Sequence, residues 1–100
     1  MNKKNAQPSV VYILQMGEFD IYRVGMTTFQ RKKDRFRILQ HGNPYKLKCV
    51  FIQEFGPIIA PIVETMLLTK LHKYKGQTND WFHVSYDKII EIISNLWAIH

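Results

Sequence analysis

The chain has 100 residues, 46% of them apolar, and a formal charge of +6 from fourteen Lys and Arg against eight Asp and Glu. That is enough apolar material for one folded core and too little for two, so a single domain over residues 1–100 is expected. Apolar runs such as Ile58-Ile59-Ala60-Pro61 fall far short of the roughly 20 residues of a membrane helix, and Cys49 is the only cysteine, which excludes an internal disulfide and a cysteine zinc site.

No membrane contact is therefore expected, and the compartment expected is a reducing, intracellular one: cytoplasm, or host nucleoid or nucleus. The start, Met1-Asn2-Lys3-Lys4, is basic but runs through Pro8 into a strand-like segment with no apolar signal core, and residues 1–8 read as a flexible arm. Ser9-Val10-Val11-Tyr12-Ile13-Leu14 and Ile21-Tyr22-Arg23-Val24-Gly25 are β-branched and aromatic runs of strand length, and the Gly17 and Asp20 turn chemistry between them predicts a hairpin. Thr27-Thr28 can cap a first helix over about Phe29–Gln40, stopped by Gly42-Asn43-Pro44. A third strand spans Leu47–Phe55. A second helix with Pro61 in its first turn runs to about Tyr74. Trp81-Phe82-His83-Val84 reads as a short extended piece, and Ser85 caps a third helix with Tyr86, Ile89, Ile90, Ile93 and Trp97 on one face. The order β-β-α-β-α-(short β)-α predicts an α+β fold, a small three-stranded antiparallel sheet flanked by helices.

Charge is concentrated. Ile21 to Val50 holds Arg23, Arg31, Lys32, Lys33, Arg35, Arg37, Lys46 and Lys48 against Asp34 alone, or +7, which leaves the rest of the chain at −1. Such a segment is either a solvated helix face or the footprint of a polyanion, because clustered cations steer phosphates and release counterions. On the first helix Phe29, Phe36 and Leu39 form a thin apolar stripe. Arg35 lies at its edge, placed for a bidentate phosphate contact or a salt bridge, while Arg31 and Arg37 point away. His41 follows beside Gly42. None of the four histidines has metal-ligand spacing, and no phosphate-binding glycine loop or nucleophile elbow is present.

On the second helix Ala60, Val63, Leu67, Leu68, Leu71 and Tyr74 form one arc, and Glu64 falls inside it. A carboxylate facing a sheet needs an arginine, a metal ion or a raised pKa. Turned to solvent, it would instead be a helix N-terminal acid favoured by the macrodipole. Tyr12 shares strand parity with Val10 and Leu14, which is the pattern of core packing, and Tyr22 and Tyr86 are alike in this.

Val10-Val11-Tyr12, then Arg23-Val24-Gly25-Met26-Thr27-Thr28, then a helix bearing Arg35 and another bearing Glu64, resembles the GIY-YIG nuclease superfamily from about Val10 to Val84. The resemblance is closest to its small virus and phage branch. Arg35-Phe36-Arg37-Ile38-Leu39-Gln40-His41-Gly42-Asn43-Pro44 is similar to that branch's RLxxLQxGNP block, and Asp80-Trp81-Phe82 to its terminal (E)WF. The resemblance implies a DNA endonuclease using one divalent cation, Mg²⁺ or Mn²⁺. Glu64 would hold the metal, Tyr12 would orient or deprotonate the attacking water, and Arg35 would neutralise the scissile phosphate. A single carboxylate suffices for such a hard cation when waters and substrate oxygens complete its shell. Arg23 stands where the family has its second tyrosine, and Tyr22 lies one position early, so both are catalytic candidates. Asn79 is a candidate near the metal. Arg31, Lys32, Lys33, Arg37, His41, Lys46 and Lys48 would hold DNA across the site, with a homodimer or a protein partner supplying specificity. The altered motif positions also fit a catalytically silent nucleic-acid-binding module. A third expectation is a protein-interaction domain presenting Trp81, Phe82 and Trp97.

Overall fold

The computed structural model describes residues 8–76 and 80–98. Ser9–Met16 form β1 and Ile21–Thr28 form β2, paired antiparallel from Ser9 opposite Thr28 to Gln15 opposite Tyr22. The turn needs Gly17, whose φ of 55° lies in the left-handed region that side chains disfavour. β2 is longer than its sequence signature because Met26, Thr27 and Thr28 continue the ladder. The two threonines therefore do not cap the first helix. The chain instead makes a 3-10 turn over Phe29–Arg31, its Phe29 N–H donating to the Pro8 carbonyl at 3.0 Å, and α1 spans Lys32–His41 with no side-chain cap. A strand-edge carbonyl satisfies the donor that a cap would have taken.

After α1, the Gly42 N–H donates to the Ile38 carbonyl at 3.3 Å and Asn43 Oδ1 accepts from the Tyr45 N–H at 2.9 Å, so Gly and Asn end the helix as the sequence predicts. β3 spans Leu47–Phe55 and pairs antiparallel with β1, with a register shift between Ile13 and Leu14 that leaves Val50 as an extra residue. α2 spans Ile59–Leu71, with Pro61 in its first turn, and tightens into a 3-10 turn at His72–Tyr74. The short extended piece is β4, Phe82–His83. It pairs with Ile21 and Tyr22, so the sheet has four strands in the order β3-β1-β2-β4, not three. α3 spans Tyr86–Ala98, and Ser85 Oγ accepts from the Lys88 N–H at 3.2 Å, the predicted cap.

Strand alternation splits the core. Val11, Ile13, Tyr22 and Val24 point to the face covered by α2 and α3 and pack with Ala60, Leu67, Leu71, Phe82, Ile89, Ile92 and Leu96. Val10, Tyr12 and Leu14 point to the other face, against Phe36, Leu39 and Leu47. Two predicted stripes shift. On α3, Tyr86 and Ile90 are exposed while Ile89, Ile92 and Leu96 are buried, because the helix lies on its 89-92-96 row. Phe29 is exposed, since its 3-10 turn precedes the helix whose stripe it was expected to extend.

Candidate functional site

Tyr12 and Gly25 face each other across β1 and β2. The Tyr12 ring lies over Gly25 so closely that a Cβ there would collide with its hydroxyl and fall 2.7 Å from Cε1. Only glycine leaves room for the phenol at this register. The ring is held from above by Phe36 of α1 in an edge-to-face contact, centroids 5.0 Å apart, and is 1% exposed. Tyr12 is thus a core residue, as its strand parity predicts, with its oxygen directed toward β2.

Phe36 and Leu39 seat α1 over β1. Gln40 fixes its far end: its side-chain amide donates to the Tyr45 carbonyl at 2.8 Å and its oxygen accepts from the Leu47 N–H at 2.8 Å. Seated this way, α1 presents different cations on its two flanks. Toward β2, a cleft of about 280 Å³ is lined by Met26, Thr27, Arg31, Asp34, Arg35 and Ile38. Arg31 therefore shares a cleft with Arg35 and does not point away from it, because it sits one turn earlier at the end of the 3-10 turn. Arg35 itself is exposed, not held at a buried edge. On the other flank Arg37 donates to Asp34 at 3.2 Å and lines a separate cavity with Leu14, Phe36, Gln40, Leu47 and Cys49.

The remaining cations divide into paired and unpaired. Lys48 is bound to Glu18, and Arg23 reaches Asp80 at 3.8 Å. Among the described residues, Arg31, Lys32, Lys33, Arg35 and Lys46 have no ion pair, although the Lys32 ammonium lies 4.5 Å above the Phe29 ring. His41 is exposed at the end of α1.

Arg23 alternates with Tyr22 and so shares the Tyr12 and Gly25 face of the sheet. Its guanidinium lies 5.8 Å from the centre of the Trp81 ring, and its side chain is 21% exposed. Tyr22 belongs to the opposite face, fully buried among Val24, Phe82 and Ile89. Its side chain is part of the core on the α2 and α3 face. Burial first, and then Asp20 and Tyr86, push its phenol pKa up, and among the described residues its hydroxyl has no hydrogen-bond partner. Phe82 is likewise buried, which removes it from any exposed aromatic surface.

Glu64 stands on α2, the helix on the far side of the sheet from α1. It is half-buried and among the described residues has neither an ion pair nor a hydrogen bond, and desolvation raises its pKa above the usual carboxylate value. Its inward position agrees with the wheel, and no arginine compensates it. No hydrogen bond or ion pair joins it to Tyr12, Arg23 or Arg35 among the described residues. Nor do three His, Cys, Asp or Glu side chains converge there to form a self-sufficient metal cage. A desolvated carboxylate without a protein partner suits a hard divalent cation that keeps most of its waters. Asn79 and residues 1–7 lie outside the described residues, as does the Trp97 side chain.

Gln40 and Trp81 are the two residues that sequence reasoning passed over as parts of this surface. Gln40 sat inside the RLxxLQxGNP-like block as a match without a role. Trp81 read as an interaction residue because its Arg23 partner is 58 positions away in the chain. No helix among the described residues is long and apolar enough to cross a membrane. A family model described as the T5orf172 domain matches residues 9–97. No curated protein and no solved structure matches the chain.

Proposed function

We propose that this chain, which belongs to the T5orf172 domain family, a phage-associated domain related to nuclease-like folds, is a metal-dependent DNA endonuclease with a GIY-YIG-type site. The observation that carries the reading is the Tyr12 phenol laid across Gly25, which ties the Val10-Val11-Tyr12 and Arg23-Val24-Gly25 segments into one surface beside the Arg31 and Arg35 cleft. Arg35, with Arg31 next to it, supplies positive charge where a phosphate can lie, and two guanidiniums favour an oxyanion more as its charge grows. Tyr12 supplies a hydroxyl able to orient a water. By the family resemblance Glu64, on the α2 side, would be the carboxylate for one Mg²⁺ or Mn²⁺, a cation that polarises phosphate and acidifies water. Glu64 has no ion pair or hydrogen bond among the described residues, which suits that role.

Purified protein with Mg²⁺ or Mn²⁺ is expected to nick supercoiled plasmid. Glu64→Ala abolishes nicking, and Arg35→Ala and Tyr12→Phe lower it by about 10²- to 10³-fold, the scale of losing one transition-state contact. Nicking by Glu64→Ala at the wild-type rate would remove the assigned site. A second reading, a binding module without catalysis, is favoured by Arg23, which replaces the family's tyrosine and is engaged by Asp80 and Trp81. Salt-sensitive DNA binding with no cleavage in any divalent metal would support it.

A further inference from the structure

Phe36 and Leu39 hold α1 over β1. Along the α1-facing side of β2 stand Arg23, Gly25 beneath the Tyr12 ring, and Thr27. Arg23 and Thr27 are four residues apart on the strand, about 13 Å. At the Thr27 end are Arg31 and Arg35; at the Arg23 end is Trp81.

The two ends differ in chemistry. Arg31 and Arg35 carry uncompensated charge among the described residues, whereas Arg23 is compensated by Asp80 and set against the indole of Trp81. A guanidinium held between a carboxylate and a ring is a poor phosphate clamp and a good flat support. The Trp81 backbone is anchored as well. The Gly76 N–H donates to the Trp81 carbonyl at 3.0 Å, and Lys75 bridges to Phe82 beside it. Trp81 is half-buried, with part of its surface left to solvent.

We propose that Trp81, backed by Arg23, is a stacking platform for an unpaired nucleobase, and that a single strand crosses the α1-facing side of β2 with its phosphates at Arg31 and Arg35. A paired base cannot offer its face to an indole, so the substrate class is DNA with a single-stranded or unstacked segment at the site, such as a flap, gap or loop. This rests on the nuclease reading for the direction of the strand through the site, but its test needs no cleavage.

Anisotropy in EDTA, with a labelled single-stranded oligonucleotide and the same sequence as a duplex, measures both affinities without turnover. Wild type is expected to bind the single strand more tightly. Trp81→Ala weakens single-strand binding about tenfold, the loss of one stacked base, and changes duplex binding less than twofold. Trp81→Phe retains most of the single-strand affinity. If Trp81→Ala does not fold, the readout is quenching of a 2-aminopurine base in the bound strand by wild type, reduced in Trp81→Phe. Equal losses on both probes, no loss on either, or an unquenched 2-aminopurine at every position of the strand would overturn the platform while leaving the nuclease reading intact. Binding to neither probe would overturn both.

Discussion

Two residues carry opposite relations to stability. Gly25 is fixed by its neighbour: a side chain there would have to displace the Tyr12 phenol, whose hydroxyl is the nearest atom. Gly25→Ala is expected to cost about 2 kcal/mol as an overpacking change, a fall in Tm of about 8–16 °C for a domain of this size. Tyr12→Phe removes that nearest atom but leaves the ring carbons in the way, so the double variant should show only slight coupling between the two changes. Thermal melts of the four proteins of the cycle check this. Glu64 works the other way. Burial raises its pKa in the folded state, so folding favours the protonated form. Its contribution to stability is therefore present below the unfolded carboxylate pKa and is lost as pH rises through the higher folded value. Glu64→Gln should then raise Tm at pH 7 by about 2–4 °C, a solvent-discounted fraction of a kcal/mol, and the gain should vanish on acidification past the carboxylate range. The same variant should fail to nick DNA. A residue whose removal stabilises the fold and abolishes activity is retained for chemistry; a Glu64→Gln protein less stable at pH 7 would show that the carboxylate is structural. Proton competition sets a second sign: metal-supported nicking should fall with acidity from a higher pH than an ordinary carboxylate would give.

At the scale of elements, what the sequence made legible depended on how locally each element is determined. β3 is bounded as expected because apolar and β-branched residues fill it and Gly56-Pro57 closes it. α3 starts where Ser85 supplies a cap. The start of α1 was not legible, since a 3-10 turn precedes it whose Phe29 N–H is satisfied by the Pro8 carbonyl just before β1, a partner that no window around Thr28 contains. β4 was visible as an extended piece but not as the fourth strand, because two residues do not reveal their partner and Tyr22 lies 60 positions away. The site follows the same division. Tyr12, Arg35 and Glu64 could be picked out by type and position, yet the sharing of one cleft by Arg31 and Arg35, and the pairing of Arg23 with Trp81, exist only after folding. Gln40 is the hinge of the local argument: its two hydrogen bonds hold the connection from α1 to β3 and so set how α1 lies on the sheet. Gln40→Ala should cost about 1–2 kcal/mol, measured by urea denaturation, because it leaves the part-buried Leu47 N–H without its acceptor. It should also lower DNA affinity although Gln40 carries no charge. Gln40→Glu keeps one acceptor and should recover part of the stability.

For the whole molecule, a net charge of +6 overstates the evenness of the field and the +7 segment overstates its reach. Three of the eight cations between Ile21 and Val50 already have acids: Arg23 with Asp80, Arg37 with Asp34 and Lys48 with Glu18. An exposed pair of this kind adds little to stability, but it lowers the local counterion density that a phosphate would displace. Binding to duplex DNA should therefore depend on salt as if about five cations were involved and not eight: a slope of log K against log salt near about −4.5, against about −7 if all eight took part. Single substitutions separate the two sets. Lys33→Ala, an unpaired cation, should lower affinity for all sequences alike and flatten the slope by about one. Lys48→Ala should leave the slope within a few tenths of wild type, because Glu18 is released as its partner is lost. Anisotropy titrations between 50 and 300 mM salt, about a sixfold range, resolve a difference of one in slope. If Lys48→Ala flattens the slope as much as Lys33→Ala does, the pairs open on the DNA and the whole basic segment is the footprint. If only the unpaired set matters, the field is narrowed to α1 and its flank on β2, around the cleft that Arg31 and Arg35 share.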